Sequence, residues 1–124
     1  MIHDLDIILS YFGEWEKIEE VRGRKHFDDH LDEVYARLMF KKGHIAELQA
    51  NRNSLTDDRL MSFNFKTEPP ININFHQKSN DALMDEVIEF VNSIYKNRRP
   101  KVSGADGLLA LKAALEIQKG VGNV

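Results

Sequence analysis

Glu33-Val34-Tyr35-Ala36-Arg37-Leu38-Met39-Phe40, then Lys41-Lys42-Gly43-His44, then Ile45-Ala46-Glu47-Leu48-Gln49-Ala50-Asn51, decide how this chain folds. Val34, Ala36, Leu38 and Phe40 share one parity, and Tyr35, Arg37 and Met39 the other. That is the period of a strand with one face on a core and one face open. Lys42-Gly43 supplies a turn, and residues 45–51 return as an antiparallel partner.

On the N-terminal side, residues 15–24 are charged but strand-compatible, with Trp15 and Val21 on one parity and Ile18 on the other. Residues 3–12 read as a short helix whose Leu5, Ile8, Leu9 and Phe12 share a broad face. Gly13 is placed to end it, and Asp4 and Asp6 lie in its first turn, where the helix dipole favours negative charge.

On the C-terminal side, residues 53–58 form a polar loop, and two short strands are expected over 60–65 and 71–75. Phe63 and Phe65 share a parity in the first; Ile71, Ile73 and Phe75 point inward in the second, against Asn72, Asn74 and His76. Pro69-Pro70 separates them and cannot donate to a ladder. Asn80 can cap a helix carrying Leu83, Val87, Phe90, Val91 and Ile94 on one face. Read as core, that face contributes about 7 to 15 kcal/mol gross, at about 1.5 to 3 kcal/mol per buried side chain.

Pro100 stops this helix, and Ser103 with Asp106 three residues on has the spacing of a capping box for a last helix that Gly120 is suited to end. Strands in the middle with helices at both ends predict an α+β fold. Its sheet is largely antiparallel, with helices packed on one face and the other face open for oligomerisation. Residues 1–124 read as a single domain.

The 124 residues suffice for a core without disulfides, and there is no cysteine, which excludes thiolate chemistry and suits a reducing compartment. A formal charge of −3, from 17 basic and 20 acidic residues that are scattered along the chain, provides no field to gather nucleic acid. No apolar run approaches the roughly 20 residues of a membrane span, and the first residues lack a secretory signal's basic start. The cytoplasm is the default expectation, with neither a nucleic-acid nor a membrane partner.

Nucleophilic catalysis has little support, because no serine sits in a Gly-x-Ser-x-Gly turn. Glu19-Glu20 and Asp57-Asp58 are adjacent pairs, which a strand sends to opposite faces. His26-Phe27-Asp28-Asp29-His30-Leu31-Asp32 packs five potential metal ligands into seven residues. Its flanks are not helical, so the imidazoles share no face, and we read it as an exposed inter-strand loop with no metal site. His44 belongs to a hairpin tip and His76 to a strand end. Spacing alone makes His3 a solvated residue near a chain terminus. No Gly-x-Gly-x-x-Gly follows a strand, so the pyrophosphate of a dinucleotide has no cradle in this chain.

Three blocks resemble one family in its order. The stretch Met1-Ile2-His3-Asp4-Leu5-Asp6, followed by Ile7, Ile8, Leu9, Tyr11, Phe12 and Gly13, looks like the substrate-side helix of the Gfo/Idh/MocA family of nicotinamide-dependent sugar oxidoreductases. The stretch from Leu31 to Arg52 is similar to that family's central hairpin, in which an aspartate precedes a strand, a glycine turns the chain and the return strand ends near an arginine. The segment from Leu83 to Lys119 resembles its C-terminal end.

The resemblance implies a C-terminal domain without the Rossmann half, and so no NAD(P) bound by this chain alone. A partner aspartate stands four residues before the family's histidine, and no residue stands there before His3; residues 54–70 also look short by a strand or two. It implies that His3, near the sugar and the nicotinamide in the family, is the ancestral catalytic residue, and that His3 and Asp6 are substrate-side residues, with capping or solvation the other reading of Asp6. An imidazole there can take a hydroxyl proton while a hydride leaves the same carbon. The Met-Ile-His-Asp-Leu-Asp-Ile form is similar to members acting on UDP-sugars at the 3-position.

The expected function is the substrate-side and oligomerisation domain of a sugar or nucleotide-sugar oxidoreductase using NAD(P), inactive alone. Its partners would be further copies, joined through the open sheet face carrying Tyr35, Arg37 and Met39. The alternative is a stand-alone α+β interaction or ligand-binding module, or a subunit completed by a separate nucleotide-binding chain.

Overall fold

Helix α1 (Ile2–Phe12) stops at Gly13, whose φ of 76° takes the chain out of the helix while its N–H still donates to the Leu9 carbonyl at 2.8 Å. The structure is a computed structural model that describes residues 1–26, 31–55, 59–75 and 81–122. It is α+β with antiparallel sheets, and its contacts divide it into two compact units, one of Met1–Asn53 with Lys101–Val124 and one of Ser54–Pro100.

In the first unit β1 (Trp15–Arg24), β2 (Glu33–Phe40) and β3 (Ile45–Asn51) form an antiparallel sheet in chain order. The alternation along β2 is realised: Ala36, Leu38 and Phe40 are buried, and Tyr35, Arg37 and Met39 lie half-buried on the other face. Gly43, at φ 77°, makes the β2–β3 turn, closed by the Phe40 N–H on the His44 carbonyl at 2.9 Å.

Strict parity fails along β1. Its pairing with β2 slips between Trp15 and Lys17 and again between Ile18 and Glu20, so Trp15, Ile18 and Val21 stand opposite Phe40, Leu38 and Ala36. Each bulge absorbs one residue, so a spacing of three lands on one face. All three side chains therefore pack toward the core, where sequence parity had separated Ile18 from the other two.

Helix α3 (Gly104–Gly122) starts at the expected capping box: the Ser103 N–H donates to Asp106 Oδ2 at 2.7 Å and the Ser103 hydroxyl to the same oxygen at 2.6 Å. Its Ala110, Ala113, Ile117 and Val121 are buried, joining Leu5 and Leu9 of α1 and the inward residues of the sheet. Gly120 does not end the helix, which continues to Gly122. It serves close approach instead: a Cβ there would lie 3.0 Å from Val21 Cγ2, and one on Gly23 would overlap Val121 Cγ1. Strand and helix thus lie against each other through a glycine on each side.

Asp32 joins the ends of this sheet. Its carboxylate, 5% exposed, accepts from the His26 N–H at 2.7 Å and from Arg52 Nη2 at 3.0 Å, and the Arg52 N–H donates to the Asp32 carbonyl at 2.9 Å. The aspartate before β2 and the arginine after β3 are therefore one another's partners, and Asp32 is buried rather than part of an exposed loop. The remainder of the His26–Asp32 run, residues 27–30, lies outside the described residues.

In the second unit β4 (Leu60–Phe63) and β5 (Ile71–Asn74) pair antiparallel as a separate two-stranded sheet, and α2 (Ala82–Tyr95) follows. Both strands are shorter than expected, leaving Phe65 and Phe75 beyond their ends, and Ile71, expected inward, is 53% exposed. His76 and Asn80 lie outside the described residues; Asp81 is the cap of α2, its carboxylate accepting from the Met84 N–H at 3.1 Å. The expectation that Leu83, Val87, Phe90, Val91 and Ile94 form core is corrected: all five are exposed, between 42 and 70%. Among the described residues of this unit only Ser93 is buried, its hydroxyl donating to the Phe90 carbonyl at 2.6 Å.

Candidate functional site

Helix α1 carries both sequence-derived site residues. Leu5 and Leu9 fix one side of it in the core, which sends His3 to the opposite side and leaves Asp6, three residues on, at the flank. His3 is exposed and Asp6 half-buried. Asp4 pairs with the Met1 ammonium at 3.1 Å, a local role in the first turn that agrees with its place near the helix dipole.

Asp6 opens onto a cleft of about 360 Å³ between α1 and the start of α3. Ile7, Leu9, Val102 and Leu109 give it apolar walls; Asp6, Ser10, Lys101 and Asp106 give it polar groups. Ser10 stands one helical turn beyond Asp6, and its hydroxyl donates to the Ile7 carbonyl at 2.7 Å. Sequence reading missed Ser10 and Lys101 as neighbours of Asp6. Ser10 was accessible through helical spacing, whereas Lys101 arrives only through the packing of α3 on α1. His3 does not line this cleft.

A second cleft, about 500 Å³, is lined by Met1, Leu31, Val34, Ala114, Ile117, Val121 and Gly122, with Lys25 and Gln118 contributing polar groups. Among the described residues Lys25 is the only ionisable side chain on its wall.

Elsewhere the polar groups hold structure. On the open face of the three-stranded sheet, Arg37 donates to Glu47 at 2.7 Å and to Glu19 at 3.2 Å; the Tyr35 hydroxyl also donates to Glu47, and Arg22 lies over the Tyr35 ring at 4.3 Å. Bonding from Lys17, and then from Arg37, holds the Glu19 carboxyl below the usual carboxylate range. At the other end of β1, Lys112 donates to Glu14 at 2.8 Å and lowers its titration, and the Trp15 indole donates to Glu116 at 3.1 Å. His26 meets Glu33 at 3.0 Å and His44 stacks on Phe12 with ring centroids 4.8 Å apart. Among the described residues no three histidine, aspartate or glutamate side chains converge on a metal position, and no helix is long and apolar enough to cross a membrane.

A dinucleotide needs helix N-terminal N–H groups left available to its pyrophosphate. Here α2 is capped by Asp81 and α3 by Ser103 and Asp106, so carboxylates already stand where a phosphate would bind. The positive-φ glycines, Gly13 and Gly43, sit after a helix and in a hairpin turn, not between a strand and a helix. Among the described residues, neither the capped starts of α2 and α3 nor these two glycines fit an NAD(P) pyrophosphate. What α1 offers is an imidazole and a carboxylate able to hydrogen-bond hydroxyls, the carboxylate beside a cleft with an ammonium and a hydroxyl.

No family model and no curated protein matches the sequence. Among solved structures, two crystal forms of UDP-N-acetylglucosamine 3-dehydrogenase GnnA from Acidithiobacillus ferrooxidans are similar to it. One superposes with a TM-score of 0.86 at 27% identity and the other with 0.80 at 26%. Each match covers 98% of this chain and 45% of the GnnA chain, so the chain spans less than half the length of the enzyme it resembles. The fold is therefore that of part of a nucleotide-sugar dehydrogenase.

Proposed function

We propose that this chain is the substrate-side domain of an oxidoreductase of the Gfo/Idh/MocA type, acting on the hydroxyl of a sugar or nucleotide-sugar, with NAD(P) bound by a nucleotide-binding half that other residues supply. The observation that carries the reading is the superposition of 98% of this chain on under half of a nucleotide-sugar dehydrogenase. His3 takes the hydroxyl proton as the hydride leaves the same carbon, and Asp6 orients the sugar. The sugar class follows the name of GnnA, and a UDP-N-acetylhexosamine is the first substrate to test.

The outer face of the β1–β2–β3 sheet is the self-association surface in this reading. Tyr35, Arg37 and Met39 stand there half-buried, flanked by Glu19 and Glu47, which keep the arginine paired. Two copies meeting through this face would stack sheet on sheet.

Backbone amide NMR with UDP-N-acetylglucosamine tests the substrate assignment. Shifts are expected on α1 around His3 and Asp6 and at Lys101 across the cleft, and to be lost in Asp6→Ala. Shifts confined to the apolar cleft around Ile117 would contradict it and favour a stand-alone ligand-binding module.

A further inference from the structure

We propose that α2 is a self-association element, pairing antiparallel with α2 of a second copy of this chain. This surface is separate from the open sheet face, and the inference holds whatever the activity.

The helix carries two adjacent apolar rows, Leu83, Val87, Phe90 and Ile94 beside Met84, Ile88, Val91 and Tyr95, each with the spacing of four, three and four that keeps a row on one side. Every one of the eight is exposed, from 42% at Val91 to 85% at Tyr95. The two-stranded sheet of the same unit needs further packing to persist in water. Its own unit thus covers neither row.

The surface has the size of an interface. Eight large side chains at these exposures present on the order of 700 Å² of mostly apolar area. A stable complex buries about 800 Å² per partner, and monomers rarely leave contiguous apolar patches beyond a few hundred Å².

Charge selects a second copy and its direction. Three of the four acids of α2 and its cap, Asp81, Asp85 and Glu86, lie toward the N-terminus, and the fourth, Glu89, is held by Arg98 at 2.8 Å, while Lys96 and Arg99 follow the C-terminus. Antiparallel pairing about the helix midpoint sets Lys96 and Arg99 of each copy beside the acidic first turn of the other and opposes the two dipoles; parallel pairing sets acid against acid. A two-fold interface requires a self-complementary surface, and this helix has one. Near its midpoint Ile88 then meets its own counterpart, whereas the two copies of Leu83 lie about 16 Å apart along the axis at about 1.5 Å per residue.

The chain has no cysteine, so single cysteines are clean reporters. Under mild oxidation Ile88→Cys is expected to give a disulfide-linked dimer, and Leu83→Cys to remain largely unlinked. Sedimentation of the unmodified chain from micromolar to millimolar concentration is expected to show a monomer–dimer equilibrium that Val87→Glu weakens at least tenfold. The proposal is overturned by a monomer throughout that range, by equal linking or no linking at both positions, or by a dimer that Val87→Glu leaves unchanged.

Discussion

The two units of this chain use similar sequence patterns to opposite effect. In the first, amphipathic helices and alternating strands bury Leu5, Leu9, Ala36, Leu38, Phe40, Ala113 and Ile117 almost completely. In the second, a still more amphipathic helix leaves eight large apolar side chains exposed. Periodicity states that a face is apolar; what covers it depends on the rest of the fold. The first unit has α1, α3 and three strands to close on one another, and the described residues of the second form one helix and two four-residue strands.

Paired truncations give the sharpest contrast. Leu38→Ala, in the buried core of the first unit, is expected to cost about 2 to 5 kcal/mol of unfolding free energy. Val87→Ala, measured in dilute solution where copies do not meet, should stay within about 0.5 kcal/mol. Chemical denaturation of both variants checks this, and equal losses would erase the distinction between the units.

Gly23→Ala comes next, because a Cβ there overlaps Val121 where strand and helix touch. The expected loss is about 1 to 3 kcal/mol, and Val121→Ala in the same chain should recover part of it. Ser103→Ala removes the hydroxyl side of the α3 capping box and is expected to cost about 1 kcal/mol, read from the same denaturation curves.

The smallest effect is electrostatic. Lys112 holds Glu14 below its ordinary titration range, so the contribution of this pair is present above the unfolded carboxylate pKa and fades as pH falls through the lower folded value. Both groups are exposed, so a pH series comparing the chain with Glu14→Gln should show a small difference at neutral pH that vanishes in acid.

The sequence made much of the first unit legible, because β2 alternates, α1 carries its own stop residue and α3 its own start. Gly13 and the Ser103–Asp106 box are local signals that need no tertiary knowledge. The β1 bulges are not local: Ile18 turns inward because of how β1 registers on β2, which residue parity cannot reveal. Gly120 misled for a related reason, since its role is set by Val21, nearly a hundred residues earlier. The Asp32–Arg52 pair was visible only as two ends of a resembled hairpin, and its burial emerged with the fold. At the candidate site, His3 and Asp6 were named through the resemblance alone, while Lys101 became a neighbour of Asp6 through the packing of α3. The α2 face was readable as apolar and misread as core, because nothing along a helix states what will cover its apolar face.

The most direct test of the central claim is to incubate the purified chain with NAD+ or NADP+ and UDP-N-acetylglucosamine and follow the reduced nicotinamide by fluorescence. The account expects no reduction by the chain alone. It also expects reduction that depends on His3 once a nucleotide-binding half that associates with the chain is added. Turnover by the chain with no other protein present would contradict it.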